Sequence, residues 1–300
     1  RHAFVFMGCG TGKSGIYNLL LLGAYLNRKT IPKIMVISPH NSLLAMHKMQ
    51  SSHYLRGTSL VVSSMLPTDI TNQNFPSHFD LLFISIHAFN DLIVGFLDIV
   101  KQWHIQNIFV DEYHNVIGEL FRLSSSWQLL FYIPSLNTKI MLLSATTERE
   151  LINKISKFMS LGKCETIGSV NSYPVPNVTI HVIKNTSECT RESLLEAIVL
   201  QCRTLTERKP GSNFKIHAIT MSRQDASDLS DKLNDSGLPS LWLTSNLPPD
   251  QKAQYLQLWE DGDEKVLVST FTDGIDNTAT EDVIIVGGTY SIYHLVQALG

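Results

Sequence analysis

Met7-Gly8-Cys9-Gly10-Thr11-Gly12-Lys13-Ser14 is bracketed by the apolar run Ala3-Phe4-Val5-Phe6 and by an apolar stretch from Ile16 to Leu26. The local order is therefore strand, glycine loop, helix. Gly8, Gly10 and Gly12 let a backbone curl with its N–H groups pointing inward, and the helix N-terminus that follows adds a positive dipole end. Such a loop cradles phosphate. Thr11 lies within it, Lys13 is placed to reach β- and γ-phosphates, and the Ser14 hydroxyl is placed to hold Mg²⁺. The general signature has glycine in the slot that Met7 fills.

Outward from this loop, short apolar runs alternate with helical stretches. Strands are expected at Ile34–Ile37, Leu60–Val62, Leu81–Ser85, Ile108–Val110 and Ile140–Leu143. Helices are expected near Leu43–Gln50, Asn90–Trp103 and Glu148–Ser160, and a long polar loop at Ser63–His78. Continuous apolar strands between helices predict a parallel sheet covered on both faces. Ligands of such sheets bind outside the carboxyl ends of the strands. Four polar clusters fall there: Gly8 to Ser14, Ser38-Pro39, Asp111-Glu112 and Ser144-Ala145-Thr146.

Gly168 to Asn177, with two prolines and no periodicity, reads as a linker. Beyond it the alternation restarts: strand Val178–Ile183, helix Arg191–Arg208, strand Ile216–Thr220, helix Asp225–Leu233, strand Leu241–Leu243, helix Pro249–Glu260, strands Val266–Val268 and Val283–Val286. This predicts domains at 1–168 and 178–300 joined by 169–177, only the first with a phosphate loop.

The 300 residues are 44% hydrophobic and 17% charged, a globular balance that excludes a disordered chain. A net charge of −3 excludes a uniformly basic nucleic-acid coat but leaves room for a local basic groove. Cys9, Cys164, Cys189 and Cys202 show neither a C-x-x-C pair nor zinc-ligand spacing, as expected of an intracellular protein. No apolar run reaches the roughly 20 residues of a membrane span, so no membrane partner is expected. Arg1 is no initiator Met, so the chain reads as a piece of a longer protein. His40, His47 and His87 form no ligand or triad spacing and are expected to be ordinary packed or surface residues.

Asp111-Glu112-Tyr113-His114 closes an apolar strand. An acid there can hold the Mg²⁺ bridging the β- and γ-phosphates, and its neighbour can orient and deprotonate a water.

With these residues the chain resembles a superfamily 2 helicase of the DExH type and is most similar to the RecQ family. Motif I is Met7 to Ser14, motif Ia Ile37-Ser38-Pro39 with Ser42-Leu43, motif II Asp111 to His114 and motif III Leu143 to Thr146. Motif IV is Met221-Ser222-Arg223, motif V Val268-Ser269-Thr270 with Asp273-Gly274-Ile275-Asp276, and Gln297 to Gly300 begins motif VI. Ser172-Tyr173 and Pro176-Asn177 fit the segment that joins the family's motor domains.

The resemblance implies two RecA-like α/β domains, ATP and Mg²⁺ as cofactors, and single-stranded or tailed duplex DNA as partner, with RNA left open. It implies that Lys13 and Ser14 bind phosphate and metal, Asp111 binds the metal and Glu112 is the general base. His114 with Ser144, Ala145 and Thr146 would relay nucleotide state. Ser38, Pro39, Ser222, Arg223, Ser269 and Thr270 would meet the nucleic acid, and Asp276 and Gln297 would face the nucleotide. A nuclear site is implied for a eukaryote, a cytoplasmic one otherwise.

The chain departs from the family after motif II, where 115–127 keeps only Phe121-Arg122 and Trp127 of an aromatic-rich coupling loop. It also stops at Gly300, short of the motif VI arginines, so this stretch alone is expected to be a weak ATPase. Three readings stay open: a RecQ-like DNA helicase, the favoured one; another superfamily 2 ATPase acting on RNA or moving along duplex without unwinding; and a decayed helicase retained as a nucleic-acid-binding module.

Overall fold

Every residue of Ile34–Ser38 and Leu81–Ser85 is buried, which is what near-continuous apolar runs do when helices cover both faces of a parallel sheet. The computed structural model describes residues 2–7, 12–39, 41–66, 68–69, 72, 74–89, 98, 100–115, 130, 132–145, 149–168, 190–208, 214–244, 247–270 and 280–287. The chain divides into two compact units, Arg1–Pro174 and Val175–Leu299. The expected linker at 169–177 and the strand at 178–183 lie outside the described residues.

In the first unit the order is β1 (His2–Phe6), α1 (Gly15–Leu26), β2 (Ile34–Ser38), α2 (Asn41–Tyr54), β3 (Val62–Met65), β4 (Leu81–Ser85), β5 (Asn107–Val110), β6 (Lys139–Ser144), α3 (Arg149–Phe158) and β7 (Cys164–Ile167). They form a seven-stranded sheet in the order β3-β4-β2-β5-β6-β1-β7, paired in parallel throughout. The register sets Phe6 beside Ser144, Ile37 beside Val110 and Ser38 beside Ser85. The carboxyl ends of β1, β2, β5 and β6 therefore finish level, and the loops they feed share one edge. On one face Val5, Tyr17, Leu21, Val36, Leu44, Phe83 and Phe109 pack into a core. Phe4 packs edge-on against Tyr113 at 5.4 Å between ring centroids.

The structure corrects the expected elements in three places. β3 runs over Val62–Met65, not 60–62, and takes its two serines from the expected loop. Val61 is already tied to the next strand, its carbonyl accepting from Asp80 and Leu81. As an edge strand β3 tolerates polar residues. β7, another edge strand, is mostly exposed and polar, so it left no apolar signal. α2 continues to Tyr54 because its buried stripe is Leu44, His47, Ser51 and then Leu55, half of it polar. Of the helix expected over 90–103, residues 98 and 100–102 are described as helical, with Trp103 in a turn.

The second unit contains α4 (Arg191–Arg208), β8 (Ile216–Thr220), α5 (Arg223–Asp235), β9 (Ser240–Leu243), α6 (Pro249–Asp261), β10 (Val266–Thr270) and β11 (Asp282–Ile285). Its four described strands pair in parallel in the order β11-β8-β10-β9. Leu195, Ile198 and Cys202 of α4 and Ala226, Leu229 and Leu233 of α5 pack on Ile216, Ala218, Val266 and Val268. Trp259 packs with Leu243 and Leu267 in a separate cluster. Lys215 is fully buried and donates to the carbonyls of Gly262 and Glu264 at 2.8 and 2.9 Å, satisfying a charge that burial would otherwise penalise. Among the described residues no helix is long and apolar enough to cross a membrane.

Candidate nucleotide site

Gly12 enters the site with φ +87°, and a Cβ on it would meet nothing within 4 Å. Glycine is needed there for the backbone conformation, not for space. Its carbonyl accepts from the Gly15 N–H at 2.8 Å, which opens α1. Ser14 holds the N-cap position of that helix without a side-chain capping bond. Its hydroxyl instead shares a hydrogen bond with the phenol of Tyr17. Gly8, Gly10 and Thr11 lie outside the described residues.

β5 delivers the acidic pair. The Asp111 N–H donates to Ile37 at 2.9 Å and the Tyr113 N–H to Leu143 at 3.2 Å, so the turn is laced to β2 and β6. Asp111 Oδ1 accepts the Glu112 N–H at 3.0 Å. Lys13 Nζ stands 3.7 Å from Glu112 Oε1, both side chains about one-seventh exposed. Glu112 Oε2 is 3.1 Å from His114 Nδ1, and that nitrogen is 2.8 Å from Ser144 Oγ. His114 and Ser144 are buried. A continuous polar path thus runs from the loop lysine through the Glu112 carboxylate and the His114 imidazole to the end of β6. Ala145 follows Ser144, and Thr146 lies outside the described residues.

The donors suit the expected ligands. A lysine at the loop and a partly buried carboxylate pair at the sheet edge match a triphosphate. Ser14 and Asp111 present hard oxygen donors of the kind that would hold Mg²⁺.

The expected nucleic-acid contacts fare differently. Ser38 and Pro39 are buried, because β2 is a central strand covered on both faces. Ser269 is buried too, its Oγ 2.8 Å from His217 Nε2 inside the second unit. Thr270 is 8% exposed. Ser222 is exposed but caps α5, accepting the Asp225 N–H at 3.1 Å and donating to its carboxylate at 2.6 Å. Arg223, beside it, is exposed. Ser38, Pro39 and Ser269 therefore have interior side chains. Asp276 and Gln297 lie outside the described residues.

Two neighbours of the site were not expected. His47 is buried, with Nε2 3.8 Å from Asp111 Oδ2 and its ring stacked on Phe83 at 5.8 Å. Tyr17 sits in the core beside Ser14, its rim against Phe83 and Phe109. The one signal for His47 was its place in the apolar stripe of α2. Tyr17 fell on an apolar helix face, where an aromatic looks like core.

A family described as DEAD/DEAH box helicase matches residues 1–154. No curated protein sequence matches. Among solved structures the chain is similar to Saccharomyces cerevisiae Dbp5 bound to RNA and ADP-BeF3, at 14% identity and TM-score 0.68, over 99% of this chain and 75% of that one. It is similar to the DEAD-box helicase Mss116 bound to single-stranded RNA and UDP-BeF, at 13% identity and TM-score 0.74, over 100% and 63%. It is also similar to the DUF1998 helicase MrfA bound to DNA and AMPPNP, at 12% identity and TM-score 0.73, over 100% and 44%. At these identities the likeness is one of fold.

Proposed function

This chain belongs to the DEAD/DEAH box helicase family, and from that premise we propose that it is the motor of an enzyme that uses ATP hydrolysis to move along a nucleic-acid strand. The observation that carries the reading is the meeting of Lys13, Asp111 and Glu112 at one sheet edge, beside a helix N-terminus. Lys13 binds the terminal phosphates. Ser14 and Asp111 would hold Mg²⁺, which would supply positive charge to neutralise the phosphate oxygens. Glu112 orients the attacking water and takes its proton. Before nucleotide binds, Glu112 shields Lys13; a γ-phosphate competing for Lys13 releases that carboxylate toward water. His114 ties the same carboxylate to Ser144, so a change at the phosphate is felt at the end of β6.

Within the family we assign it to a RecQ-like DNA motor with domains at 1–168 and 178–300. Met7 at the head of the loop supports this, as do the linker residues Ser172-Tyr173 and Pro176-Asn177. An RNA motor is the second reading, favoured by the fold likeness to RNA-bound Dbp5 and Mss116. Single-stranded DNA is expected to raise the rate of ATP hydrolysis by the protein, and Lys13→Ala to abolish hydrolysis. Equal rates for the two proteins would reject the motor. Stimulation by RNA alone would reject the DNA assignment and leave the motor standing.

A further inference from the structure

Each of the two oxygen donors for the cation is touched by a side chain that lies outside every motif of the nucleotide site. We propose that His47 and Tyr17 are positioning residues that hold the Asp111 carboxylate and the Ser14 hydroxyl in the orientation that receives the nucleotide-bound cation, with Phe83 as their common platform. This rests on the assignment of that site to Mg²⁺-nucleotide.

A carboxylate turns freely about its last torsion, a broad two-fold rotor, unless its oxygens are engaged. Here Oδ1 is engaged, accepting the Glu112 N–H at 3.0 Å, and the buried His47 ring bounds the swing of Oδ2, with Nε2 3.8 Å away. Each oxygen carries two lone pairs, so each keeps one for a metal. The imidazole is fixed in turn: it is 6% exposed and lies nearly parallel to Phe83, 16° between planes. Phe83 is itself fully buried in the middle of β4.

Tyr17 approaches the same ring from α1, edge-on at 5.6 Å and 74°, and Phe109 at 5.7 Å and 75°. Its phenol is bonded to the Ser14 side chain and feels the Asp111 charge. The bond to Tyr17 accounts for a serine at an N-cap position that caps nothing.

Packing alone asks for neither residue. A leucine at 47 and a phenylalanine at 17 would fill the same core without the cost of burying an imidazole and a hydroxyl. What the polar atoms add is a fixed aim for the two metal ligands. Outer-shell partners of this kind change metal affinity by about 10–100-fold when removed.

The test titrates a fluorescent ATP analogue against the wild-type chain and the variants His47→Leu, His47→Gln and Tyr17→Phe, in Mg²⁺ and in EDTA. His47→Leu is expected to weaken binding in Mg²⁺ by roughly 10-fold while binding in EDTA holds. His47→Gln, which restores an N–H near the same place, is expected to recover most of the loss. Tyr17→Phe, which keeps both ring contacts, is expected to lose about fivefold in Mg²⁺, the worth of one hydrogen bond. Equal losses with and without Mg²⁺, no loss, or a Gln variant no better than Leu would overturn the proposal while leaving the site assignment intact. Wild-type chain that does not bind the analogue more tightly in Mg²⁺ than in EDTA would overturn both. Should His47→Leu fail to fold, Tyr17→Phe decides by the same comparison.

Discussion

Glu112 has φ +46°, in the left-handed region that a side chain other than glycine rarely adopts. The strain, of order 1–3 kcal/mol, is of the kind found at functional sites. Along an extended strand Asp111 and Glu112 would point to opposite faces of the sheet. The left-handed turn instead brings the first carboxylate toward His47 and the second toward Lys13 and His114. In the second unit His217 shows the opposite use of a histidine. Burial pushes its imidazole down to about 4, and it stays neutral against Ser269. In the unfolded chain the group takes up its proton near 6.5, so its contribution is complete above that pH and is lost as pH falls toward 4. The loss amounts to about 2 kcal/mol by pH 5. Urea unfolding at pH 7 and pH 5 checks this: His217→Asn is expected to be less stable than wild type at pH 7 and to lose less on acidification. A variant with the wild-type pH slope would show that His217 does not titrate between the two states.

At the scale of elements, the sheet edge is built by register. β1, β2, β5 and β6 end together, so a loop, a buried turn and an acidic pair meet without any one of them being long. The end of β7 comes close to the end of β1 at Gly168, where φ is +97° and a Cβ would stand 2.1 Å from the carbonyl oxygen of Phe6. Only glycine satisfies both conditions. Gly168→Ala is therefore expected to cost at least about 2 kcal/mol, from a strained φ and a backbone clash that β1 must yield to relieve. A fall in the urea midpoint at unchanged slope would show it, and an unchanged midpoint would refute the close approach.

For the whole molecule, a net charge of −3 places any grip on nucleic acid in local groups, not in an overall field. Hydroxyls and backbone N–H groups can hold phosphates without adding charge, and such contacts carry no base information. Unwinding is a separate expectation from hydrolysis. On a 3′-tailed DNA duplex the protein is expected to release the displaced strand only with hydrolysable ATP. Hydrolysis without release would make it a translocase.

The strand-loop-helix at Met7 to Ser14 and the acidic pair ending β5 were legible in the sequence because each is local. A glycine loop needs its own glycines, and a strand end its own carboxylates. The same holds for most strands and helices, whose apolar period reports burial directly. The folded chain alone set His47 against Asp111, moved Ser38 and Ser269 inside, made Ser222 a cap and kept the polar edge strands β3 and β7. Those placements depend on which strands become neighbours and in what register, through contacts between residues far apart in the chain. No periodicity within one segment records such a pairing.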